Sequence, residues 1–242
     1  MSEINPTVLI ACSHGTRFAE GRAVVSALVD HVAHLLPDIE VLPAFVDVEE
    51  PAVADVAAAV PADRRAVIVP LLLSRGFHTG VDIARAAKPY EHVHAAQPLG
   101  PHPLLADVLV SRLTEVGEID SLGTHIVLAA SGSSNPVAAT DVEALAEMLR
   151  ARLTVPLTVG YAAGSTPLIA DAVAAARAAG ATRVIAASYV LAPGHFANLV
   201  AASGADAVSA PLAVTPGGRA LLGVLAVRWD DVWAWIEGLF SS

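Results

Sequence analysis

The chain has 242 residues, of which 55% are hydrophobic and 16% charged, so it is not intrinsically disordered and can bury a large core. Its formal net charge of −10 argues against a nucleic-acid binder, which needs a basic face to neutralise phosphates. The mean hydropathy is +0.59, but every apolar run is shorter than the ~20 residues that a spanning helix needs. We expect no signal peptide at residues 1–6, and the single cysteine, Cys12, is typical of a cytoplasmic protein.

Strands and helices alternate along the first half of the sequence. Short apolar runs predict buried strands, and apolar residues at three- to four-residue intervals, as at Val24, Leu28 and Val32, predict helices. Pro51 is predicted at the first position of a helix, where proline fits well. The predicted strands are 8–12, 41–46, 66–73 and 92–96, and the predicted helices are 20–36, 51–60, a short one ending near 87, and 103–116.

The same order of elements returns after residues 117–123. The predicted strands are 125–130, 157–162, 184–190 and 207–211, and the predicted helices are 136–153, 167–179, 199–202 and 218–240. An offset of 117 carries Gly15 to Gly132 and His78 to His195, and an offset of 116 carries 44–51 to 160–167. We therefore predict a duplicated unit, with an N-terminal domain at 1–120 and a C-terminal domain at 121–242.

Alternating strands and helices predict βαβ units and mostly parallel sheets. The fold class is therefore α/β, with two tandem, similar lobes that are flavodoxin-like or Rossmann-like. Because no low-complexity linker separates the halves, we expect them to pack against each other with a cleft between them.

Three loops of the first half follow predicted strands and carry reactive side chains. His14 follows the first strand, Asp47 the second and His78 the third. Ligands of open parallel sheets gather beyond the carboxyl ends of the strands, so these side chains are predicted to face one crevice. Two imidazoles and a carboxylate suit a divalent metal such as Fe²⁺ or Co²⁺, and they also suit proton transfer near neutral pH.

The second half keeps only one of these three residues. The repeat places Ser131 at the position of His14 and Ala163 at that of Asp47, whereas His195 replaces His78. A metal site needs several converging ligands, so we expect the second lobe to hold substrate rather than run the reaction alone. His195 is predicted to reach into the shared cleft.

Several motifs together resemble the class II chelatases of tetrapyrrole biosynthesis, the family of sirohydrochlorin ferrochelatase and cobaltochelatase. They cover both halves and comprise Ser-His-Gly-Thr-Arg at 13–17, Ala-Phe-Val-Asp at 44–47 with Pro51, Val-Pro-Leu-Leu at 69–72, Gly-Phe-His at 76–78 with Asp-Ile at 82–83, and Gly-Pro-His-Pro at 100–103. The resemblance implies ATP-independent insertion of Fe²⁺ or Co²⁺ into sirohydrochlorin. According to this resemblance, His14 and His78 correspond to the family's metal-binding and proton-transfer histidines, and Asp47 stands where the family commonly has glutamate.

The chemistry implied by this resemblance needs no cofactor beyond the substrate metal ion, because the metal is divalent before and after insertion. The substrate carries many carboxylates, so Arg17 and Arg75 are candidates to bind them. We expect hydrogen bonds to the substrate from Ser13 and from the loop with Ser133 and Ser134 at a helix N-terminus. The expected partners are sirohydrochlorin and a divalent metal ion, with no nucleic acid and no membrane, and the duplication suggests a monomer.

Less specific interpretations of the same residues stay open. The loop histidines and arginines could be surface residues, Asp47 could cap a helix, and Glu49 and Glu50 are predicted to be solvated. Cys12, in a buried strand, is predicted to be inert.

The favoured function is a sirohydrochlorin ferrochelatase of sirohaem synthesis, and the nearest alternative is a cobaltochelatase of cobalamin synthesis. A non-catalytic carrier of metal or tetrapyrrole is the alternative of another class; such a carrier would need no proton acceptor. A nucleotide-binding protein is disfavoured, since the sequence has neither Gly-x-Gly-x-x-Gly after the first strand nor a Walker lysine motif.

Overall fold

The computed structural model describes residues 8–214, except the side chains of residues 77–79. The expectations for residues 1–6 and for a helix at 218–240 therefore lie outside the described residues. Strands and helices alternate along the described chain, which confirms the predicted order of elements. They are β1 (Val8–Ser13), α1 (Ala19–Leu35), β2 (Glu40–Phe45), α2 (Val53–Ala59), β3 (Ala66–Pro70), α3 (Phe77–Ala87), β4 (Val93–Ala95), α4 (Pro103–Thr114), β5 (Thr124–Ala130), α5 (Pro136–Arg150), β6 (Leu157–Tyr161), α6 (Ile169–Ala178), β7 (Arg183–Tyr189), α7 (His195–Ala201) and β8 (Ala207–Val208).

The first sheet is parallel, with the strand order β2-β1-β3-β4. All six residues of β1 and all five of β3 are buried. A strand covered on both faces has apolar residues at every position rather than at alternate ones, which explains the continuous runs in the sequence. One core cluster of this sheet joins Ile10 and Cys12 of β1 to Val53 of α2 and Ile83 of α3.

The second sheet repeats this arrangement with the order β6-β5-β7-β8, and all its strand pairs are parallel. Its core joins Val127 and Ala129 of β5 to Ile169 and Val173 of α6. Two parallel sheets with the same relative strand order confirm the predicted α/β class with two tandem, similar lobes.

The described chain divides into two compact units, which are not the two halves of the repeat. The first comprises 8–72 and 78–99, and the second comprises 73–77 and 100–214. Helix α4 lies in the second unit, where it packs against α5 and β7, and Arg152 Nε donates to Asp107 Oδ1 at 2.6 Å. The predicted boundary near residue 120 stays a prediction about the repeat.

Prolines at the predicted helix starts fall into two groups. Pro103 and Pro136 are the first residues of α4 and α5, where proline loses no helical hydrogen bond. Pro51 and Pro167 lie before their helices, since α2 begins at Val53 and α6 at Ile169. The prediction that these two prolines open helices is therefore wrong.

Pro51 and Pro167 instead turn the chain back onto the end of a strand. Both follow cis peptide bonds, and their carbonyl oxygens accept from the main-chain N–H of Phe45 at 3.0 Å and of Tyr161 at 2.9 Å. The two hydrogen bonds lie at corresponding positions of the two halves, at an offset of 116 residues. Helix α7 begins at His195, four residues before the predicted start at residue 199. Within residues 8–214, no helix is both long and apolar enough to cross a membrane.

Candidate functional site

The carboxyl ends of three adjacent strands position the residues predicted to be reactive in the first half. His14 directly follows β1, the strand between β2 and β3, and Asp47 lies two residues beyond β2. The main-chain N–H of Val46 donates to Ser13 O at 2.9 Å, and that of Asp47 donates to His14 O at 3.0 Å. These bonds extend the β1–β2 pairing past the sheet, so His14 and Asp47 leave it side by side, and both are exposed.

Gly15 permits this close approach of the two loops. It has φ +90°, a conformation that L side chains rarely adopt, and a Cβ at this position would lie 2.0 Å from the carbonyl oxygen of Asp47. A glycine is thus required where the chain turns after His14. Gly132 takes the same role in the second half, with φ +81° and Ala163 O in place of Asp47 O.

Glu49 fastens the His14 loop to the loop after β2. Its Oε1 accepts from the main-chain N–H of Thr16 at 2.7 Å, and its Oε2 lies 3.5 Å from Nε of Arg22. Arg22 Nε also donates to the carbonyl oxygen of Thr16 at 2.8 Å. The side chain of Glu49 is only 15% exposed, so the expectation of a solvated carboxylate is wrong for Glu49, whereas Glu50 is exposed.

The third predicted residue, His78, is the second residue of α3, which follows β3 at the same edge of the sheet. Its side chain lies outside the described part of the structure, so the convergence of the His14 and His78 imidazoles stays a prediction. Among the side chains that are described, no group of three or more His, Cys, Asp or Glu is placed to hold a metal ion.

Two other residues of the first loop have contrasting environments. Ser13 is 5% exposed, and within the described chain its Oγ has no hydrogen-bond partner, whereas Arg17 is exposed. The predicted contacts of both with substrate stay predictions. Burial raises the pKa of the neighbouring Cys12 thiol to about 12, in accord with the prediction that this cysteine is inert.

The corresponding edge of the second sheet keeps the main-chain arrangement without the reactive side chains. Ala163 N–H donates to Ser131 O at 3.0 Å, as Asp47 does to His14 in the first half. Ser165 stands where the repeat has Glu49, and its Oγ donates to Ser133 O at 2.7 Å. Short hydroxyl bonds thus replace the carboxylate contacts of Glu49, and the edge has neither an imidazole at Ser131 nor a carboxylate at Ala163.

The residues predicted to bind substrate in the second half lie at helix starts. Ser133 Oγ accepts from the N–H of Asn135 at 3.1 Å, and Asn135 in turn caps α5 by accepting from Val137 N–H. Ser134 is exposed. His195 is the first residue of α7 and is exposed, with its ring 5.4 Å from that of Phe196. Their contacts with a substrate stay predictions.

Arg75 has a partner that the sequence analysis missed. Its main-chain N–H donates to Asp141 Oδ2 at 2.9 Å, and its Nε donates to the two carboxylate oxygens at 3.1 and 3.0 Å. Asp141, on α5, is 2% exposed, and its hydrogen bond and charge raise the pKa of the Arg75 guanidinium. Much of the hydrogen-bonding capacity of the Arg75 guanidinium is thus taken up by Asp141. A contact of Arg75 with a substrate carboxylate stays a prediction.

A sequence signal for Asp141 exists. The buried stripe of α5 recurs at three- and four-residue intervals, and Asp141 is its one charged member, between apolar residues that include Ala138, Val142 and Leu145. A carboxylate at a core position of an amphipathic helix requires a charged or hydrogen-bonding partner, because an unpaired buried charge is strongly unfavourable.

Comparison with solved structures defines the class of this fold. SirB from Bacillus subtilis with Fe³⁺ is similar over 92% of this chain and 95% of its own, with a TM-score of 0.73 and 17% identity. SirB from Bacillus subtilis subspecies spizizenii in complex with cobalt is similar over 92% of this chain and 93% of its own, with a TM-score of 0.66 and 16% identity. The chain thus has the two-lobed α/β chelatase fold.

Comparison of the sequence then identifies the family. The family model described as CbiX matches residues 8–116 and 125–204, so the chain belongs to the CbiX family. It is also 26% identical over 202 residues to the sirohydrochlorin ferrochelatase of Priestia megaterium, covering 79% of this chain and 75% of that protein. The predicted membership of the class II chelatase family is confirmed.

Proposed function

We propose that this protein is a sirohydrochlorin ferrochelatase that inserts Fe²⁺ without ATP. The observation that carries the proposal is the Asp47 N–H to His14 O bond, which sets the two residues side by side beyond the sheet. Helix α3, with His78 in its first turn, follows the third strand at that edge. The family and the activity named for the Priestia megaterium relative support the choice of reaction.

Insertion exchanges two macrocycle N–H protons for one divalent ion. In the proposed reaction the imidazoles of His14 and His78 deliver the metal and accept the displaced protons, two roles for which histidine is a common side chain. The exposure of His14 supports access by a large planar substrate. One Asp47 oxygen, Oδ1, accepts from the N–H of Val48 at 2.8 Å, which orients the carboxylate at the loop surface.

The substrate's carboxylates must be held by a protein of net charge −10. We assign this role to the exposed Arg17 and to hydrogen-bond donors that include Ser13, with Ser133, Ser134 and His195 contributing from the second half. Arg75 contributes through the part of its guanidinium that Asp141 does not occupy, since its side chain is 51% exposed.

Cobalt is the competing metal. SirB has been solved with Fe³⁺ and with cobalt. Imidazole and carboxylate ligands suit both Fe²⁺ and Co²⁺, the two ions that compete as substrate. Rates with Fe²⁺ and Co²⁺ at equal sirohydrochlorin therefore decide between the two chelatase activities: a higher kcat/KM for Fe²⁺ supports the proposal, and a higher value for Co²⁺ makes cobaltochelatase the function.

The decisive assay mixes the purified protein with sirohydrochlorin and either metal, without oxygen or ATP, and follows the absorbance of the macrocycle. We expect His14→Ala and His78→Ala to lose most of the rate, and His195→Ala to lose less. His31→Ala is the matched control, because His31 is an exposed histidine of α1 whose ring bonds to Ala27 O.

Two results would contradict the proposal. Wild-type rates in both His14→Ala and His78→Ala would show that the reaction takes place elsewhere. A wild-type protein that binds metal or sirohydrochlorin but does not accelerate insertion would be a carrier rather than an enzyme.

A further inference from the structure

Residues 73–75, which lead from β3 towards α3, are held at three points inside the second compact unit. Tyr189 Oη donates to Leu73 O at 2.6 Å, and Asn135 Nδ2 donates to Arg75 O at 3.0 Å. Asp141 accepts from both the main-chain N–H and the guanidinium of Arg75. Both backbone ends of this short segment are therefore bonded to side chains of the second half of the repeat.

The groups that hold the segment are buried and belong to regular elements. Asp141 and Tyr189 are each 2% exposed, and they lie on α5 and at the end of β7. A charge-assisted bond from a buried carboxylate is strong, and breaking it leaves a charge that water cannot reach. Such partners fix the position of a loop more firmly than exposed side chains would.

Gly100 fits the same arrangement. A Cβ at this glycine would lie 2.2 Å from Leu73 O and 2.3 Å from Tyr189 Oη, so any larger residue would separate the two atoms that bond. The glycine of the Gly-Pro-His-Pro motif at 100–103 is thus explained by the contact that holds residue 73, without any direct role in chemistry.

We propose that Asp141 and Tyr189 are positioning residues for His78. His78 lies only three residues after Arg75, so even a fully extended chain would keep its Cα within about 11 Å of the anchored residue. The half of the repeat that lacks a counterpart of His14 thereby contributes to the reaction by fixing the start of α3. This inference rests on the proposed function insofar as it takes His78 to be the metal-delivering residue.

The test uses Asp141→Asn, which removes the carboxylate charge, and Tyr189→Phe, which removes one hydrogen bond from Leu73. Asp141→Glu is the conservative variant. Glu115→Gln is the matched control, since it leaves another buried charge of the same unit, the 1% exposed Arg112, without its carboxylate partner. The hydrogen bonds of Arg112 go to Glu115 and to Leu212 O, and none of them goes to residues 73–75.

Two measurements on the full chain report positioning separately from stability. The first is a titration of each protein with Co²⁺ alone, followed by visible absorption, together with KM for Co²⁺ and for sirohydrochlorin. The second is hydrogen–deuterium exchange of the peptide that covers residues 73–80. Thermal unfolding of every variant shows which of them are folded at the assay temperature.

We expect Asp141→Asn and Tyr189→Phe to weaken Co²⁺ binding about tenfold, because a small displacement of a reacting group is enough to lose such a factor. KM for Co²⁺ should rise in both variants, and KM for sirohydrochlorin should stay unchanged in Tyr189→Phe, which leaves the Arg75–Asp141 pair intact. The 73–80 peptide should exchange faster, and Asp141→Glu should recover part of the affinity. Glu115→Gln should match the wild type in all of these.

Wild-type Co²⁺ affinity and exchange in folded Tyr189→Phe and Asp141→Asn would overturn the inference, and so would equal losses in Glu115→Gln. If Asp141→Asn does not fold, Tyr189→Phe decides alone. If the wild type binds Co²⁺ but does not accelerate insertion, the proposed function fails, and the Co²⁺ affinities and exchange rates still decide whether these residues position the segment.

Discussion

Asp47 donates its main-chain N–H to the carbonyl oxygen of His14 over 3.0 Å, and Ala163 makes the same bond to Ser131 in the second half. The duplicated unit has thus kept this main-chain hydrogen bond and the two loops that it joins, here called the main-chain frame of the site, at both sheet edges. Only one edge carries an imidazole and a carboxylate on that frame. The difference between the halves lies in side chains, so residues that hold the frame and residues that do the chemistry can be tested separately.

The first prediction concerns Glu49, which holds the frame. Glu49→Ala removes the acceptor of the Thr16 N–H and the partner of Arg22, and we expect it to lower kcat for insertion several-fold. A hydrogen bond to a charged acceptor contributes about 1.5–3 kcal/mol, so the free energy of unfolding should fall by that amount. Chelation kinetics and urea unfolding measure the two effects.

Glu49→Gln keeps an oxygen that can accept from Thr16 and loses the charge beside Arg22, so it should recover most of the rate. Glu50→Gln is the control, since Glu50 is an exposed neighbour that accepts from Ala52 N–H and does not contact the His14 loop. Equal rates in Glu49→Ala and the wild type would show that the loop keeps its position without this carboxylate.

The second prediction concerns the turn after His14. Gly15→Ala forces a side chain into a left-handed conformation and against Asp47 O, so we expect the free energy of unfolding to fall by at least ~2 kcal/mol and chelation to be nearly lost. Gly180→Ala has a similar φ of +100° with no heavy atom within 4 Å of the added Cβ, and it controls for the conformational cost. A Gly15→Ala protein as stable and active as Gly180→Ala would contradict the close approach.

The third prediction concerns Cys12, whose thiol pKa is raised by burial to about 12. The folded protein keeps this thiol protonated at moderately alkaline pH, whereas a cysteine in the unfolded chain has a pKa of about 8.5. The resulting stabilisation is complete below the pKa of the unfolded thiol and is lost as pH rises towards the folded pKa. Between these values the free energy of unfolding should fall more steeply with pH in the wild type than in Cys12→Ala.

Labelling with a thiol reagent gives an independent measurement of the same burial. At mildly alkaline pH the rate of labelling should follow global unfolding, and it should become fast only in denaturant. Rapid labelling of the folded protein would show that the thiol is accessible.

The sequence was sufficient to predict strands that are buried on both faces. Residues 8–12 and 66–73 are continuous apolar runs, a pattern that follows from burial itself, and β1 and β3 fall there. The helix starts at Pro51 and Pro167 were predicted wrongly, because a proline has the same preferred φ in an extended turn as at a helix start. The hydrogen bonds of the two proline carbonyls to the N–H groups of Phe45 and Tyr161 decide between the two, and each closes a loop that a helix pattern does not predict.

The sequence predicted the position of the site about as well as it predicted the strands and helices. Connection rules place His14, Asp47 and α3 at one edge of a parallel sheet, since each follows one of three strands. They do not predict which partner a long side chain takes, and both Arg75 and Glu49 proved to have partners within the protein that are distant in sequence. The pairing of Arg75 with Asp141 joins positions 66 residues apart, a separation that one sequence without relatives cannot resolve.

The last prediction uses the retained frame of the second half. Ser131→His together with Ala163→Asp places an imidazole and a carboxylate on the main-chain bond that matches Asp47 and His14, with His195 already in the first turn of α7. If the side chains alone distinguish the two edges, the double variant should bind a second equivalent of Co²⁺ in spectroscopic titration. Adding His195→Ala to it should weaken that second equivalent.

The matched control is Ser134→His with Ala163→Asp, which adds the same two groups but puts the imidazole on an exposed position three residues further along the loop. It should bind one equivalent of Co²⁺, the number expected of the wild type. A single equivalent in both double variants would mean that the second edge differs from the first in more than these two side chains. Ser165 is one such difference, because its hydroxyl accepts from Ser133 N–H over a longer 3.4 Å and has no arginine beside it in the described chain, whereas Glu49 accepts from Thr16 N–H at 2.7 Å and lies 3.5 Å from Arg22.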